Sequence, residues 1–453
     1  MGSIFSSLVT VANSLTTMEK ALNVVSNNVT NAKTPGFARQ NMNFIAMRFD
    51  PAGGLTGGVD AGQLISSRRA HLEQGVYAQS QRFGRFSQTS QSLSRVEPIF
   101  DISQQSGLAA SIDRLFHSFS QLSVTPNDAL ARQGVIRSAQ GVAFAFNQTT
   151  AALGDAAAQA DGELRGSIDA INRVGQAIRN LNVELREDSR RLQDPGLDAQ
   201  IHAALEQLSE FTDFTILRGE DGSFGVYLGG QTPLVIGDKF FPVSGDFSGD
   251  TPILRDLMGN DISGQIRQGR VRAFIDLRAG FLPQLQTDLD FLAQSLADRI
   301  NQTLLNGVDQ NGQTPALDLF TYDSSIGAAA TLAVNSIEPH ELAAATVEAP
   351  GGNGNALNLA ALSTGRLVND FTFSQYYGRI AGHVGRSLSN ARDDERAHAL
   401  LLSQARTLRA ETSEVSLDEE AAKLIAFQRA YQASAELVRV LNSLTEVMLG
   451  LIR

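Results

Sequence analysis

The last part of the chain, residues 416 to 453, carries the most regular pattern of apolar positions in the sequence. It has no proline and a single glycine near its end, so it predicts one long helix. Ser416 can cap the first turn, and Asp418, Glu419 and Glu420 suit the positive end of the helix dipole. The apolar or small positions that recur at spacings of three and four are Phe427, Ala430, Ser434, Leu437, Leu441, Leu444, Met448 and Leu451. This C-terminal seam has the spacing of a coiled coil and needs a helical partner.

The opposite end of the chain offers a matching pattern. Its apolar positions, which we call the N-terminal seam, are Ile4, Leu8, Val11, Leu15, Met18, Leu22, Val25 and Val29. We therefore predict that the two terminal helices pair as a coiled coil. Burial of one narrow apolar face does not offset the entropy lost when two long helices become ordered. We expect the ends to be weakly ordered in the monomer and fixed when copies pack together, although a helical hairpin that caps a core is an alternative.

A short polar segment follows the first helix and favours a helix end. Asn28 and Asn31 belong to a residue type that favours helix ends, and Pro35 with Gly36 suits the two central positions of a type II turn. The sequence therefore predicts a helix terminator followed by a tight turn.

Between the termini, the pattern predicts long helices and a β-rich middle. The predicted domains are a terminal coiled coil (1–35 and 414–453), an extended connector or β arm (36–79), a helical-rod domain (80–212, 270–308 and 363–413) and a β-rich outer part (213–269 and 309–362). Individual helices are predicted at 80–95, around 108–122 and 142–146, and at 163–193, 201–211, 282–305 and 371–411. Strands are predicted at 214–217, 224–228, 234–236, 240–243, 319–322 and 331–334. The fold class is thus mainly α with smaller β parts, in discontinuous nested domains whose β elements lie farthest from the paired ends.

Length and composition narrow the possible classes. A chain of 453 residues is too long for one compact core. The net charge of -11, without any basic cluster longer than two residues, argues against a nucleic-acid binder. The chain has no cysteine, which excludes disulfides and thiolate zinc sites. No apolar run reaches about 18 residues, so we expect no membrane span.

Motifs for chemistry are incomplete. Residues 309–312 (DQNG) resemble the start of a calcium loop but lack its later ligands, so a glycine turn is favoured. His340 and Glu341 begin a zinc-protease motif, but Ala344 replaces the second histidine. We assign no catalytic, cofactor-binding or metal residue and expect neither a cofactor nor enzyme activity. An enzyme or binding module on the strands of 214–243 remains an alternative.

Two segments at opposite ends of the chain resemble a known family. Residues 21–40 (ALNVVSNNVTNAKTPGFARQ) and 416–438 (SLDEEAAKLIAFQRAYQASAELV) resemble the terminal signatures of the axial proteins of the bacterial flagellum, the rod, hook and hook-associated family. The interior segments 222–237, 271–302 and 351–362 resemble its hook-associated members, which lie at the junction of hook and filament. The resemblance departs in length, because the chain leaves little room for the large outer domain of longer members.

The resemblance implies a structural, self-assembling protein of the hook–filament junction that filament assembly needs. It implies a ring or helical homo-oligomer, contact with the hook protein and with a second hook-associated protein, an export chaperone at the C-terminal helix, and secretion through the flagellar type III channel to the extracellular flagellum. The expected assembly residues are Leu8, Leu15, Met18, Leu22 and Val25, then Phe427, Leu437, Leu441, Leu444 and Met448, with Asn28, Asn31, Pro35 and Gly36 as the signature turn. The hook protein itself is an alternative, and it would be favoured if residues 80–211 formed strands instead of helices.

Overall fold

The computed structural model describes residues 2–48, 57–100, 107–187 and 194–451. The side chains of Ile4 and Leu451, which belong to the predicted seams, lie outside this description, as do residues 188–193 at the predicted end of one helix.

Helices dominate the fold, at 65% of the structure against 12% for strands, which confirms the predicted mainly α class. In the described ranges the α-helices are α1 (Gly2–Asn31), α2 (Ala70–Val96), α3 (Gly107–Val124), α4 (Ala129–Glu187), α5 (Pro195–Phe211), α6 (Gly269–Asp276), α7 (Leu282–Leu305), α8 (Ala328–Thr331), α9 (Gly354–Ala361), α10 (Phe373–Ser413) and α11 (Leu417–Leu451). A π-helical turn, Leu277–Phe281, joins α6 to α7, and short 3-10 turns occupy Glu97–Phe100 and Pro339–Glu341.

The strands form small antiparallel sheets. They are β1 (Gln40–Ala46), β2 (Val59–Ser66), β3 (Phe214–Arg218), β4 (Phe224–Leu228), β5 (Thr232–Ile236), β6 (Lys239–Phe240), β7 (Ser244–Asp246), β8 (Ile253–Arg255), β9 (Gly307–Val308), β10 (Phe320–Thr321), β11 (Ala333–Val334) and β12 (Ala345–Thr346). The largest sheet has the order β3-β4-β5-β6, and β1 with β2 makes the hairpin expected of the β arm.

Several predicted boundaries are wrong, and helix α5 is one case, since it begins at Pro195 rather than at the predicted residue 201. Helix α2 begins ten residues before the predicted start, because burial of Val76 and Tyr77 outweighs the cost of about 1 kcal/mol for Gly75. The helices predicted around 142–146 and from 163 are one helix, α4, since the segment between them is rich in alanine and lacks proline. Helix α9 occupies a segment predicted as loop and β-rich, where Leu359 is buried.

The chain divides into two compact units. Unit 1 contains residues 1–82, 170–242 and 399–453, and unit 2 contains 83–169 and 243–398. The predicted β-rich outer part is therefore divided, because the four-stranded sheet belongs to unit 1 and the strands from β7 onward belong to unit 2.

In unit 1, the four-stranded sheet packs on the C-terminal part of α4. Its close approach requires glycine at position 175, where a Cβ atom would lie 2.8 Å from the Phe240 ring. The buried Asn182 side chain donates to the carbonyl oxygens of Phe224 (2.8 Å) and Gly237 (2.9 Å) and accepts from the Phe224 amide. These contacts fasten the sheet to the helix at strand β4 and at the turn between β5 and β6.

In unit 2, the core lies between helices that bury one face each. The apolar face of α7 is fully buried and consists of Leu285, Leu289, Leu292, Leu296 and Ile300. Helix α9 packs against α3, whose apolar face is also buried and consists of Leu108, Ile112, Leu115, Phe116, Phe119 and Leu122. Both helices follow their 3.6-residue apolar period, which is why sequence and structure agree there.

Candidate functional site

The two terminal helices pack against each other, as the seams predicted. On α1, Val25 is buried, while Leu8, Leu15, Met18 and Leu22 are half-buried. The fully buried positions of α1 are Thr17, Ala21, Val25 and Asn28. Three of these positions, Thr17, Ala21 and Asn28, lie one residue before a position of the N-terminal seam. The buried face is shifted because α1 also packs on the β1–β2 hairpin, where the Thr17 hydroxyl lies 3.4 Å from the Val59 carbonyl oxygen.

The C-terminal seam is divided between two faces of α11. Phe427, Leu441 and Met448 are half-buried, and the Phe427 ring lies 5.8 Å from that of Phe44 on the hairpin. Leu437 and Leu444 are instead 54% and 49% exposed. The residues that directly follow these two leucines, Val438 and Thr445, are half-buried instead.

Leu437 and Leu444 belong to a second apolar row on α11, which we call the outward stripe. It consists of Leu437, Val440, Leu444 and Val447, all about half exposed and again spaced by three, four and three residues. Four such side chains on a helix whose other face packs on α1 form a surface suited to a further helix.

A buried polar cluster, which we call the terminal joint, connects the end of α1 to the start of α11. The Asn28 amide group donates to the Gln40 carbonyl oxygen (2.8 Å) and to the Glu420 carboxylate (2.9 Å), and it accepts from the Gln40 amide (2.9 Å). Glu420 is fully buried and also pairs with Arg39 (3.0 Å) and Lys423 (3.1 Å). The joint therefore ties both termini to the first strand of the hairpin.

The signature turn has the predicted form. Pro35 and Gly36 lie between the Thr34 carbonyl oxygen and the Phe37 amide that bonds to it (3.1 Å), and Gly36 has the positive φ of 76° that a type II turn requires. Asn31 closes the helix end by accepting from the Thr34 hydroxyl (3.1 Å). A Cβ atom at Gly36 would lie 2.3 Å from the Ala199 carbonyl oxygen, so the turn packs directly on α5.

A second, partly buried cluster, which we call the basal ion network, lies beside this turn. Arg68 binds the Gly36 carbonyl oxygen (2.5 Å) and pairs with Glu73 (2.6 Å) and Asp198 (2.8 Å). Arg409 of α10 pairs with Glu73 (3.2 Å) and with Glu206 of α5 (2.7 Å). Because the carboxylates come from α2 and α5 and the cations from the β2–α2 connection and α10, the network fixes the turn among these elements.

Sequence reasoning missed most of these charged residues. It interpreted Glu420 only as a first-turn carboxylate, and it assigned no role to Arg39, Arg68, Glu73 or Arg409. The Ser416 cap was predicted, and its hydroxyl does accept from the Glu419 amide (3.4 Å). The one available signal for Arg39 and Glu420 was that both lie inside the terminal segments that resemble family signatures.

We expect Glu420→Gln to loosen the terminal joint. The substitution keeps the shape of the side chain but removes the charge that holds Arg39 and Lys423, which costs about 1.5 to 3 kcal/mol. Hydrogen exchange of amides near residues 28 and 420 measures this loss. Glu419→Gln is the matched control: Glu419 also pairs with Arg39 (2.7 Å), but its side chain is exposed, so the loss should be less than about 1 kcal/mol. Equal effects of the two substitutions would contradict the role of the joint.

We also expect protection of the terminal helices to decrease away from the joint in the isolated monomer. Outside the joint their contacts are mostly half-buried, so opening costs little. Hydrogen exchange on dilute protein should show fast exchange for the amides of Leu8, Leu15, Leu437 and Leu441. Strong protection of these four amides would show that the ends are firmly ordered before assembly.

A buried tyrosine–histidine pair adjoins the basal ion network. The Tyr77 hydroxyl and His202 Nδ1 are 2.7 Å apart. Burial, and secondarily the Arg68 charge, lowers the pKa of His202 to about 3. Burial, and then Glu73, raises the pKa of Tyr77 far above its usual range. Both groups are therefore neutral, and they share one buried hydrogen bond.

This pair predicts acid sensitivity of unit 1. An unfolded chain protonates His202 below a pH of about 6.5, whereas the folded chain does so only near pH 3. Its contribution to stability is thus complete above about pH 6.5 and is lost as the pH falls. Between pH 7 and pH 5, the wild type should lose about 1 to 2 kcal/mol more than His202→Gln in urea unfolding. Parallel pH curves would contradict this prediction.

The segment that resembles the start of a calcium loop, residues 309–312, has a structural role. The Asp309 carboxylate accepts from the amides of Asn311 and Gln313 (both 2.8 Å), and Gly312 has a positive φ, so the segment is a glycine turn. No group of three or more possible ligands capable of holding a metal ion exists within the described residues. Across the same residues, we find no helix with the length and apolarity needed to span a bilayer.

Comparison with known proteins places these features in a family. Residues 93–320 match the model of the flagellar hook-associated protein FlgK helical domain, and residues 408–451 match that of the flagellar basal body rod FlgEFG protein C-terminal region. Flagellar hook-associated protein 1 of Bacillus subtilis is 25% identical over 99% of both chains. The Salmonella typhimurium protein of that name is 25% identical over 69% of this chain, which covers 58% of the relative.

A solved structure supports the fold. The flagellar hook junction protein FlgK of Burkholderia pseudomallei superposes with a TM-score of 0.66 at 14% identity, over 76% of this chain and 100% of that one. Since the first family model covers half of the sequence and includes α3, α4 and α7, the chain belongs to the flagellar hook-associated protein FlgK family.

Proposed function

We propose that the protein is a structural component of the bacterial flagellum that assembles from many copies at the hook–filament junction and is needed for filament growth. The family and the names of its relatives support the location. The outward stripe of α11 carries the argument for self-assembly.

The outward stripe needs a partner from outside the chain. Its four side chains are about half exposed, although α11 already packs on α1. Exposed apolar rows at coiled-coil spacing bury themselves against another helix. In a homo-oligomer, that helix comes from a neighbouring copy and the contact repeats around a ring or a helix.

The role is mechanical rather than catalytic. The carboxylates beside the four-stranded sheet, Asp221 and Asp238, are ion-paired with Arg186 at 3.0 and 3.2 Å. Its inner strands bury Phe224, Val226 and Leu228 as core. The hook-protein alternative required strands over 80–211, and the described parts of that segment are helical.

Membership of the family suggests the remaining partners. The hook protein lies on one side of the junction and a second hook-associated protein lies toward the filament. An export chaperone covers the C-terminal helix before assembly, because a bare apolar stripe promotes aggregation. Weakly packed ends suit export through the type III channel to the cell exterior, since a narrow channel passes unfolded chain.

Deletion of the gene in the native host tests the proposal. Electron microscopy should show hooks without filaments, and expression of the wild-type chain should restore filaments. Antibody labelling should place the protein between hook and filament. Normal filaments on the hooks of deletion cells would overturn the proposed function.

A further inference from the structure

Unit 2 contains a groove of about 630 Å³ between α2, the π-helical turn and α10. Its lining includes the apolar side chains of Leu93, Leu277 and Phe281. The Phe281 ring lies 5.4 Å from the His383 ring, which also lines the groove. The packed ring and the buried leucines give the groove a preformed apolar surface.

The rim of the groove carries an exposed carboxylate that has no ion-pair partner among the described residues. Asp276 is neutralised by Arg85 (2.9 Å) and Arg272 (2.6 Å). Asp394 is exposed, and none of the described residues forms an ion pair or hydrogen bond with its carboxylate. The groove is therefore suited to an apolar side chain that has a cation close by.

The N-terminal part of α4 presents such a combination, which we call the α4 ridge. Leu130, Arg137 and Phe144 are seven residues apart and share one helix face. Leu130 is 75% and Phe144 66% exposed. Arg137 is also exposed, and the part of the chain that the structure describes gives it no ion-pair partner. The glycine three residues before Phe144, Gly141, has open space where a Cβ would be, so another surface can approach closely.

We propose that the α4 ridge of one copy docks into the groove of the next copy, with Phe144 against Phe281 and Arg137 beside Asp394. The proposal deepens the proposed function and rests on it, because it names a contact between assembled copies. It commits to a second copy because the ridge supplies the cation and the apolar side chain that the groove lacks.

The two side chains of the ridge span less than the length of the groove. Arg137 and Phe144 are about 10 Å apart along the helix axis, from a rise of about 1.5 Å per residue. Along α10 the groove runs from His383, which contacts Phe281, to Asp394, a length of about 16 Å by the same rise. One copy can therefore place both side chains in the groove at once.

The contact is directional. Ridge and groove are different surfaces of the same chain, so each copy can bind one neighbour with its ridge and another with its groove. Such a heterologous contact generates a ring or a helix rather than a closed dimer.

Charge reversal tests the ion pair. Arg137→Asp or Asp394→Arg alone should lower the fraction of hooks that carry filaments by about tenfold, equivalent to about 1.4 kcal/mol. The double variant should restore it, since the pair is re-formed with the charges exchanged. Glu348→Arg, at an exposed position of unit 2, is the matched control and should have no effect. Circular dichroism should show unchanged monomers, because all three positions lie on the surface.

Disulfide cross-linking tests the geometry. Because the natural chain has no cysteine, introduced cysteines are the only ones in the chain that can form a disulfide. Phe144→Cys with Ser387→Cys, oxidised in assembled flagella, should give a ladder of multimers, whereas either single variant should not. Filaments that grow normally on both charge-reversal variants, with no cross-link in the double-cysteine flagella, would overturn the docking contact and leave the proposed function intact. Cross-links to a different protein would overturn the second copy as occupant. The proposed function fails separately, through normal filaments in deletion cells.

Discussion

Replacing Leu444 with aspartate is expected to abolish filament growth while leaving the isolated chain folded. Leu444 lies in the middle of the outward stripe and is about half exposed in the monomer. In the assembled state the new carboxylate would be buried without a partner, at a cost of several kcal/mol. In the monomer it remains in water, so the free energy of unfolding should change by less than about 0.5 kcal/mol. Filament counts in complemented deletion cells and urea unfolding of the purified chain measure the two effects.

Two controls define the position of the stripe. Ser443→Asp introduces the same charge one residue away, at an exposed position outside the stripe, and should leave filaments intact. Leu444→Met keeps the volume and should cost less than about 1.5 kcal/mol even when buried. Filaments on cells with Leu444→Asp would show that the outward stripe does not take part in assembly.

Replacing Arg132 with methionine is expected to destabilise unit 2 by about 2 to 4 kcal/mol, because carbonyl acceptors lose their hydrogen-bond donor. Arg132 is 2% exposed, and its guanidinium donates to the carbonyl oxygens of Pro126 (2.7 Å), Leu342 (2.5 Å) and Pro339 (3.2 Å). Burial lowers the pKa of Arg132, while the Asp309 charge acts in the opposite direction. Methionine fills the volume but leaves the buried Leu342 carbonyl and the half-buried Pro126 and Pro339 carbonyls without their donor.

Urea unfolding followed by circular dichroism measures this loss, and hydrogen exchange assigns it to unit 2. Arg137→Met is the matched control on the same helix, where the arginine is exposed and should contribute less than about 0.5 kcal/mol. If the two variants unfolded at the same urea concentration, the hydrogen bonds of Arg132 would not contribute to the stability of unit 2.

Local pattern determined the elements whose ends are marked by strong signals. Helix α7 spans the predicted residues, because an apolar period of 3.6 ends at the Asn306–Gly307 break. The type II turn at Pro35 and Gly36 followed from the backbone angles that these two residues favour. The pairing of α1 with α11 was also predictable, since no other segments carry seams of that length. In each case the deciding interactions lie within a few residues or repeat with the helix.

The tertiary structure decided what the pattern left open. Helix α11 carries two overlapping rows at spacings of three and four, and only the position of α1 determines that Leu441 is half-buried while Leu437 and Leu444 face outward. Asn28 and Glu420 are separated by 392 residues, so no local spacing indicates that they meet. The same holds for the basal ion network, whose charges come from the β2–α2 connection and from three helices. Sequence periodicity determines which side chains must leave water. Contacts between distant parts of the chain determine which partner covers each side chain, and which charged residues are buried beside it.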